Sequence, residues 1–371
     1  MEMRRLSRKI LVGALLTVAI SCDKESTPSA TFDRGPLLEN LGESVILPAY
    51  DTLARRALRL ETAAEAFAGN AGAEELSALR DHWLAAYIAF QHCAYFNFGP
   101  ADELLLNTAL NTFPTSKIKV DDNIASGSYD LAAVSSNNAK GFSALDYLLY
   151  GTGDSDVEIL EMYNADSDAL QRKQYLLDVV TDIRLRSEAV FTKWAPAGDN
   201  YIGTFVSLTG NDVGSATGML LNAAIQYLER DLRDNKIGIP LGIRSLNVPI
   251  PDNCEALHSE KSIALAAEST LALQNIYLGK GNSDGIGFDD YLAAINAMYN
   301  GGLLDDAIRP QLELAKTKVE TIPEPYSETV MNNQGPPTQA YQELQKLVIL
   351  LKTDMMSALG ILITYQDNDG D

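Results

Sequence analysis

Histidine and cysteine are both scarce in this chain, three of each in 371 residues. His82, His92 and His258 are the only imidazoles. A zinc peptidase needs ligands such as two histidines and a carboxylate, with one metal position left open. No His-Glu-x-x-His helix is present. His82 and His92 lie ten residues apart on one predicted helix, nearly three turns, and cannot share a metal. Peptidase activity is therefore not supported by the available ligands. Cys93 and Cys254 fall in helix-like segments and read as small buried apolar residues, although an oxidising compartment would permit a bridge. Basic residues are outnumbered, 29 Lys and Arg against 50 Asp and Glu, for a net charge of −21. That balance excludes nucleic acid as a partner and argues against direct adhesion to anionic lipid. Alternating Val/Ile/Thr-rich runs bounded by turns are missing, so strands are not expected. There is no Gly-x-Ser-x-Gly elbow. The glycine-rich stretch 279–287 follows a helix rather than a strand and reads as a loop, not a phosphate cradle.

Residues 1–22 read as a targeting segment. Arg4, Arg5, Arg8 and Lys9 precede an apolar run, Ile10 to Ile20, that is too short to span a bilayer. Ala19-Ile20-Ser21-Cys22 resembles a bacterial lipobox, in which the cysteine is lipidated and becomes the new N-terminus. Loss of residues 1–21 removes four basic residues and Glu2 and takes the net charge to −24. Residues 23–35 are polar and read as a flexible tether. Asp23 and Glu25 resemble the acidic export signals of surface lipoproteins in Bacteroidota. The expected location is the cell envelope, as an outer-membrane lipoprotein facing the periplasm or the outside. The membrane is then a partner through the lipid at Cys22.

Beyond residue 35 nearly every periodic stretch reads as helix, which makes the fold class all-α. Helices are expected over residues 37–67 (interrupted near Pro48), 74–98, 129–150, 167–194, 213–235, 254–278, 288–300, 304–321 and 338–363. Lys236 to Gly242 should stop the fifth of these, because Gly and Pro end a helix and turn the chain. The best boundary lies around Pro196 to Tyr201. It divides an N-terminal antiparallel bundle, 36–197, from a C-terminal one, 198–371, each of about four helices. Residues 322–337 form a long, proline-rich connection.

The segment Gly141 to Tyr150 stands out. Phe142, Leu145, Leu148 and Leu149 fall on one helical face, and Ser143, Asp146, Tyr147 and Tyr150 on a second strip. A helix apolar on most sides is buried. Asp146, the only charge between Gly141 and Gly153, then needs hydrogen bonds or a cation. Ser143 and Asp146 are three apart and can converge on one small target. The plainer alternative has Ser143 bonding a backbone carbonyl and Asp146 a neighbouring Tyr or Arg. Glu255 and His258 repeat the Glu-x-x-His spacing of di-iron bundles, but those bundles need two such pairs. The pair is a weak metal candidate beside the reading that it decorates a helix start. Asp367 to Asp371 resembles the opening of a calcium loop but lacks its bidentate Glu, and reads better as an acidic tail.

Gly141, Ser143 and Asp146 stand where the imelysin family's signature helix carries Gly-x-His-x-x-Glu, and the segment resembles that signature with two substitutions. Other pieces are similar in order and spacing. They are Trp83 to Pro100 with its Phe-Gly-Pro ending, Asn111-Thr-Phe-Pro114, Tyr175 to Pro196, Asn235 to Gly242, Cys254 to Gly279, and the C-terminal ending from Leu359. Ala94 falls where relatives often carry a Glu. The resemblance implies two helical bundles with a site between them on the signature helix. It implies an envelope protein of iron uptake, with Gly141, Ser143, Asp146, Tyr147 and Tyr150 as binding residues. Iron, or no cofactor at all, is what it implies for the site, and an outer-membrane iron or haem receptor is the partner it suggests. The resulting expectation is a non-enzymatic binding or accessory component of iron or haem uptake. Two alternatives stay open: a metal-dependent peptidase or redox protein, and a metal-free peptide-binding surface lipoprotein.

Overall fold

A computed structural model describes residues 32–281 and 283–365. The targeting segment, Cys22, most of the tether and the acidic tail 367–371 lie outside the described residues. No described helix is long and apolar enough to cross a membrane.

The fold is all-α. Four helices make the first lobe: α1 (Leu47–Gly69), α2 (Ala73–Cys93), α4 (Gly141–Tyr150) and α5 (Ala169–Trp194), with the short α3 (Lys117–Ser126) beside them. α1 packs along both α2 and α5, and α4 lies against α2 and α5. The apolar spacing drives this. Leu53, Ala57, Leu60, Ala64 and Phe67 recur every three or four residues along α1 and are all fully buried. Trp83 and Trp194, the chain's two tryptophans, both sit at 0% exposure in this lobe. Full burial of each such side chain is worth roughly 1.5–3 kcal/mol or more.

The second lobe holds α6 (Ala216–Gln226), α7 (Ser262–Tyr277), α8 (Asp305–Glu320) and α9 (Gly335–Ile349). α7 packs on α8, α8 on α9, and α7 also packs on α2 of the first lobe. Residues from Phe32 onward form one compact unit. The loop expected to mark a boundary runs from the end of α5 to a short helix at Tyr201–Ser207.

Several expected boundaries are corrected. The helix expected over 129–150 begins only at Gly141, because Val134–Ala139 is a 3-10 turn and Lys140 is extended. The helix expected from Cys254 begins at Ser262, and residues 255–260 form an irregular turn with Ala256 and Glu260 at φ +48° and +59°. The segment expected to stop at Lys236 continues as a π-helix, Tyr227–Gly238, and runs on to Leu241. Wider π turns accommodate Gly238 without breaking the helix, and such turns cluster at functional sites. The helix expected over 288–300 ends at Ala294, and a two-residue hairpin pairs Met298–Tyr299 with Gly302–Leu303. The connection 322–337 contains a short helix, Tyr326–Asn332. The last helix ends at Leu359 with Gly360 at φ +67°.

Candidate functional site

The signature helix α4 explains its own glycine. Gly141 has φ +74°, and a Cβ there would lie 2.3 Å from the Leu110 carbonyl oxygen. Only glycine fits this left-handed start against a neighbouring backbone. Trp83 Nε1 then donates to the Phe142 carbonyl at 3.1 Å and pins the first turn. Residues 141–149 are all buried.

Asp146 points from α4 at the turn 255–260. Its two oxygens accept the backbone N–H groups of His258 (2.8 Å) and Ser259 (2.9 Å). The expected alternative partners, a Tyr or an Arg, are not what it finds. Burial pushes the Asp146 carboxyl up to about 6. The hydrogen bonds from Ser259 and His258 pull it back only in part, and the Glu255 charge adds to the rise. Asp146 thus ties the signature helix to a segment 112 residues later in the chain.

Glu255 is the centre of a second, connected network. It is 1% exposed and pairs with the Lys236 ammonium, itself 2% exposed, at 2.5 Å from both oxygens. Asn111 Nδ2 donates to Glu255 Oε1 at 2.8 Å, and Gln91 Nε2 reaches the same oxygen at 3.4 Å. The Tyr87 hydroxyl lies 3.0 Å from Glu255 Oε1 and 2.5 Å from Asn111 Oδ1. It has one proton and donates to one of them at a time. Ser143 donates to Asn111 Oδ1 at 3.4 Å rather than to a backbone carbonyl. Burial holds the Lys236 pKa below the usual ammonium range, with Glu255 pushing it back up. The Tyr87 hydroxyl is raised well above the usual phenol value by burial and then by Glu255. Lys236 arrives here because the π-helix Tyr227–Gly238 turns it inward, where its ammonium also lies 5.8 Å from the Phe113 ring centroid.

The remaining sequence candidates separate. Tyr147 donates to Asp121 at 2.9 Å and sets its ring 5.6 Å from that of His258. Tyr150 packs under the Arg80 guanidinium at 4.2 Å and beside Trp83, away from the Glu255 network. His258 is half-buried, and burial together with Lys117 pushes its pKa down to about 4. Ala94 is fully buried, and its carbonyl accepts Asn107 Nδ2 at 2.7 Å. Cys93 and Cys254 are free, buried thiols, raised by burial.

These donors do not fit a resident metal ion. Both Glu255 oxygens face an ammonium, and both Asp146 oxygens face backbone N–H groups. Glu255 and His258 sit on a turn rather than a helix, so their spacing does not converge them. Among the described residues no group of three or more His, Cys, Asp or Glu could hold a metal ion. Sequence reasoning missed Lys236, Asn111, Tyr87 and Gln91 as site residues. The signal for all four was present, since Tyr87, Gln91, Asn111 and Lys236 lie in the segments that carry the family resemblance.

A cavity of about 240 Å³ opens beside the network, lined by Phe113, Thr115, Lys117, Ser143, Asp146 and His258 among others. The arrangement can seat a small polar ligand between the head of α3, the signature helix and the turn 255–260.

The comparisons with known proteins agree with this architecture. Iron-regulated protein A of Synechococcus elongatus is 23% identical over 305 residues, covering 80% of this chain and 78% of that protein. A solved structure from Parabacteroides distasonis, assigned as an iron-regulated protein A precursor, has TM-score 0.73 at 17% identity. It covers 90% of this chain and 97% of its own. An imelysin-like protein from Psychrobacter arcticum has TM-score 0.68 at 21% identity with the same coverage. The profile of the family Imelysin matches residues 46–351. A match over that span, on an all-α fold with the signature helix at its centre, means that this chain belongs to the imelysin family.

Proposed function

We propose that this protein is a lipid-anchored, non-enzymatic binding or accessory component of iron or haem acquisition. One observation carries the non-enzymatic part. The most buried carboxylate of the site, Glu255, already has a cation, the Lys236 ammonium at 2.5 Å. A catalytic metal placed there would sit against a like charge, at a cost that no nearby ligand offsets. The iron-regulated name of the Synechococcus relative supports the iron part. Lipidation at Cys22 would hold the protein to the outer membrane, and a receptor for iron or haem complexes would be its partner there.

The test has two arms. Purified mature protein is titrated with ferric citrate and with haemin, and in parallel incubated with unfolded protein substrates. The proposal expects saturable binding in the first arm and no cleavage in the second. Hydrolysis that survives protease inhibitors and disappears in Glu255→Gln would overturn it.

A further inference from the structure

We propose that a second cavity, where the two lobes meet, binds a small uncharged phenol, a single aromatic ring whose hydroxyl bonds to His92. No residue of the signature helix lines it, and the inference does not depend on the iron reading.

Three parts of the fold close around this space. They are the π-helix Leu41–Ile46 with the start of α1, the end of α2, and the end of α7 with the loop behind it. Gly281 makes the closure, because a Cβ there would collide with the Ser44 carbonyl oxygen across the lobe boundary. π turns such as the one that supplies Ser44 and Val45 cluster at functional sites.

Size and walls select the ring. The cavity measures about 210 Å³. An engineered apolar cavity of ~150 Å³ already holds benzene, so this one admits a ring with a substituent or two. It falls below the ~300–1,000 Å³ of sites for drug-sized ligands. Ala89, Phe96, Ala272 and Ile276 form buried apolar walls, each 6% exposed or less. Apart from Lys280, which is exposed, no lining side chain is a Lys, Arg, Asp or Glu. Walls of this kind favour an apolar body without a charge of its own.

His92 supplies the polar anchor. Its Nε2 lies 3.0 Å from Glu268 Oε2, and this hydrogen bond holds the Glu268 carboxyl below its usual value. An ionised carboxylate only accepts, so Nε2 carries a proton. In the uncharged ring Nδ1 then keeps the lone pair. Nδ1 has no hydrogen-bond partner among the described residues. A ligand that satisfies it has to bring a donor. A phenol does so, and a benzoate, with acceptors only, does not.

Isothermal titration of the mature chain at pH 8 with 4-methylphenol, toluene and benzoate tests this, with circular dichroism melts as the folding control. 4-Methylphenol should bind saturably at one site. Toluene, the same ring without the hydroxyl, should bind about 3–10-fold more weakly, the worth of one neutral hydrogen bond. Benzoate should not bind. His92→Phe should bring 4-methylphenol down to the level of toluene and leave toluene unchanged, which a merely structural role would not do. Ala272→Leu fills the space and should abolish binding of both rings. If that variant does not fold, Ala49→Leu, from the opposite wall, carries the same expectation. No saturable binding of 4-methylphenol would overturn the proposal, as would equal affinities for 4-methylphenol and toluene or for 4-methylphenol and benzoate. So would a folded His92→Phe, or a folded cavity-filling variant, that binds 4-methylphenol like the wild type.

Discussion

Replacing Lys236 by Met removes the ammonium and keeps most of the apolar stem. Glu255 is then left as a carboxylate at 1% exposure with no counter-charge. Breaking a buried ion pair from one side costs roughly 3–5 kcal/mol, because the orphaned charge stays desolvated. Asn111 at 2.8 Å, Tyr87 at 3.0 Å and Gln91 at 3.4 Å remain as donors to Oε1, which places the loss near the lower end. For 371 residues the unfolding entropy is roughly 0.8 kcal/mol/K, so 3–5 kcal/mol lowers Tm by about 4–6 °C. Removing both charges in Lys236→Met/Glu255→Gln should recover part of that. The double-mutant cycle should give a coupling of at least about 1 kcal/mol. Urea and thermal unfolding followed by circular dichroism read all four proteins. A single variant within about 0.5 kcal/mol of wild type, or strictly additive singles, would refute the picture of a sealed Lys236–Glu255 centre.

Three further outcomes are expected. Gly141→Ala places a Cβ 2.3 Å from the Leu110 carbonyl at φ +74°. It should cost at least about 2–3 kcal/mol by unfolding, and a neutral result would contradict the close approach. Asp146 titrates near 6, above its unfolded value of about 4. Its protonated form therefore favours folding, and that contribution is lost as pH rises through this window. Asp146→Asn stays neutral, so its stability relative to wild type should improve by about 2 kcal/mol from pH 4 to pH 7. A pH-independent difference would refute the burial argument. Cys93 and Cys254 are 1% and 2% exposed and unpaired. Ellman's reagent should label neither in the native protein and both after denaturation, whereas one fast-reacting native thiol would contradict their burial.

The all-α class and the buried signature helix were legible because they depend on local patterns. Phe142, Leu145, Leu148 and Leu149 recur at helical spacing, and all four are fully buried. The burial of Asp146 was equally legible, as the lone charge in an apolar run. Its partners were not. They are backbone N–H groups of a turn 112 residues away, and backbone donors leave no mark in side-chain spacing. The Glu255–His258 pair misled for a related reason. A three-residue spacing brings side chains together only on a helix, and positive φ at Ala256 and Glu260 makes this stretch a turn. Lys236 was hidden by Gly238 and Pro240, which read as a helix stop. The chain runs through Gly238 as a π-helix and past Pro240 as a short α-helical turn, and delivers the lysine to the interior.

The central claim is that the protein's own lysine, not a metal, neutralises the heart of this site. Elemental analysis tests it most directly, on protein purified without chelator, loaded with excess zinc or iron salt and then dialysed. The account predicts that wild type retains no stoichiometric metal and that Lys236→Met and Asp146→Ala leave this unchanged. Stoichiometric iron or zinc in the wild type, abolished by Asp146→Ala, would contradict it.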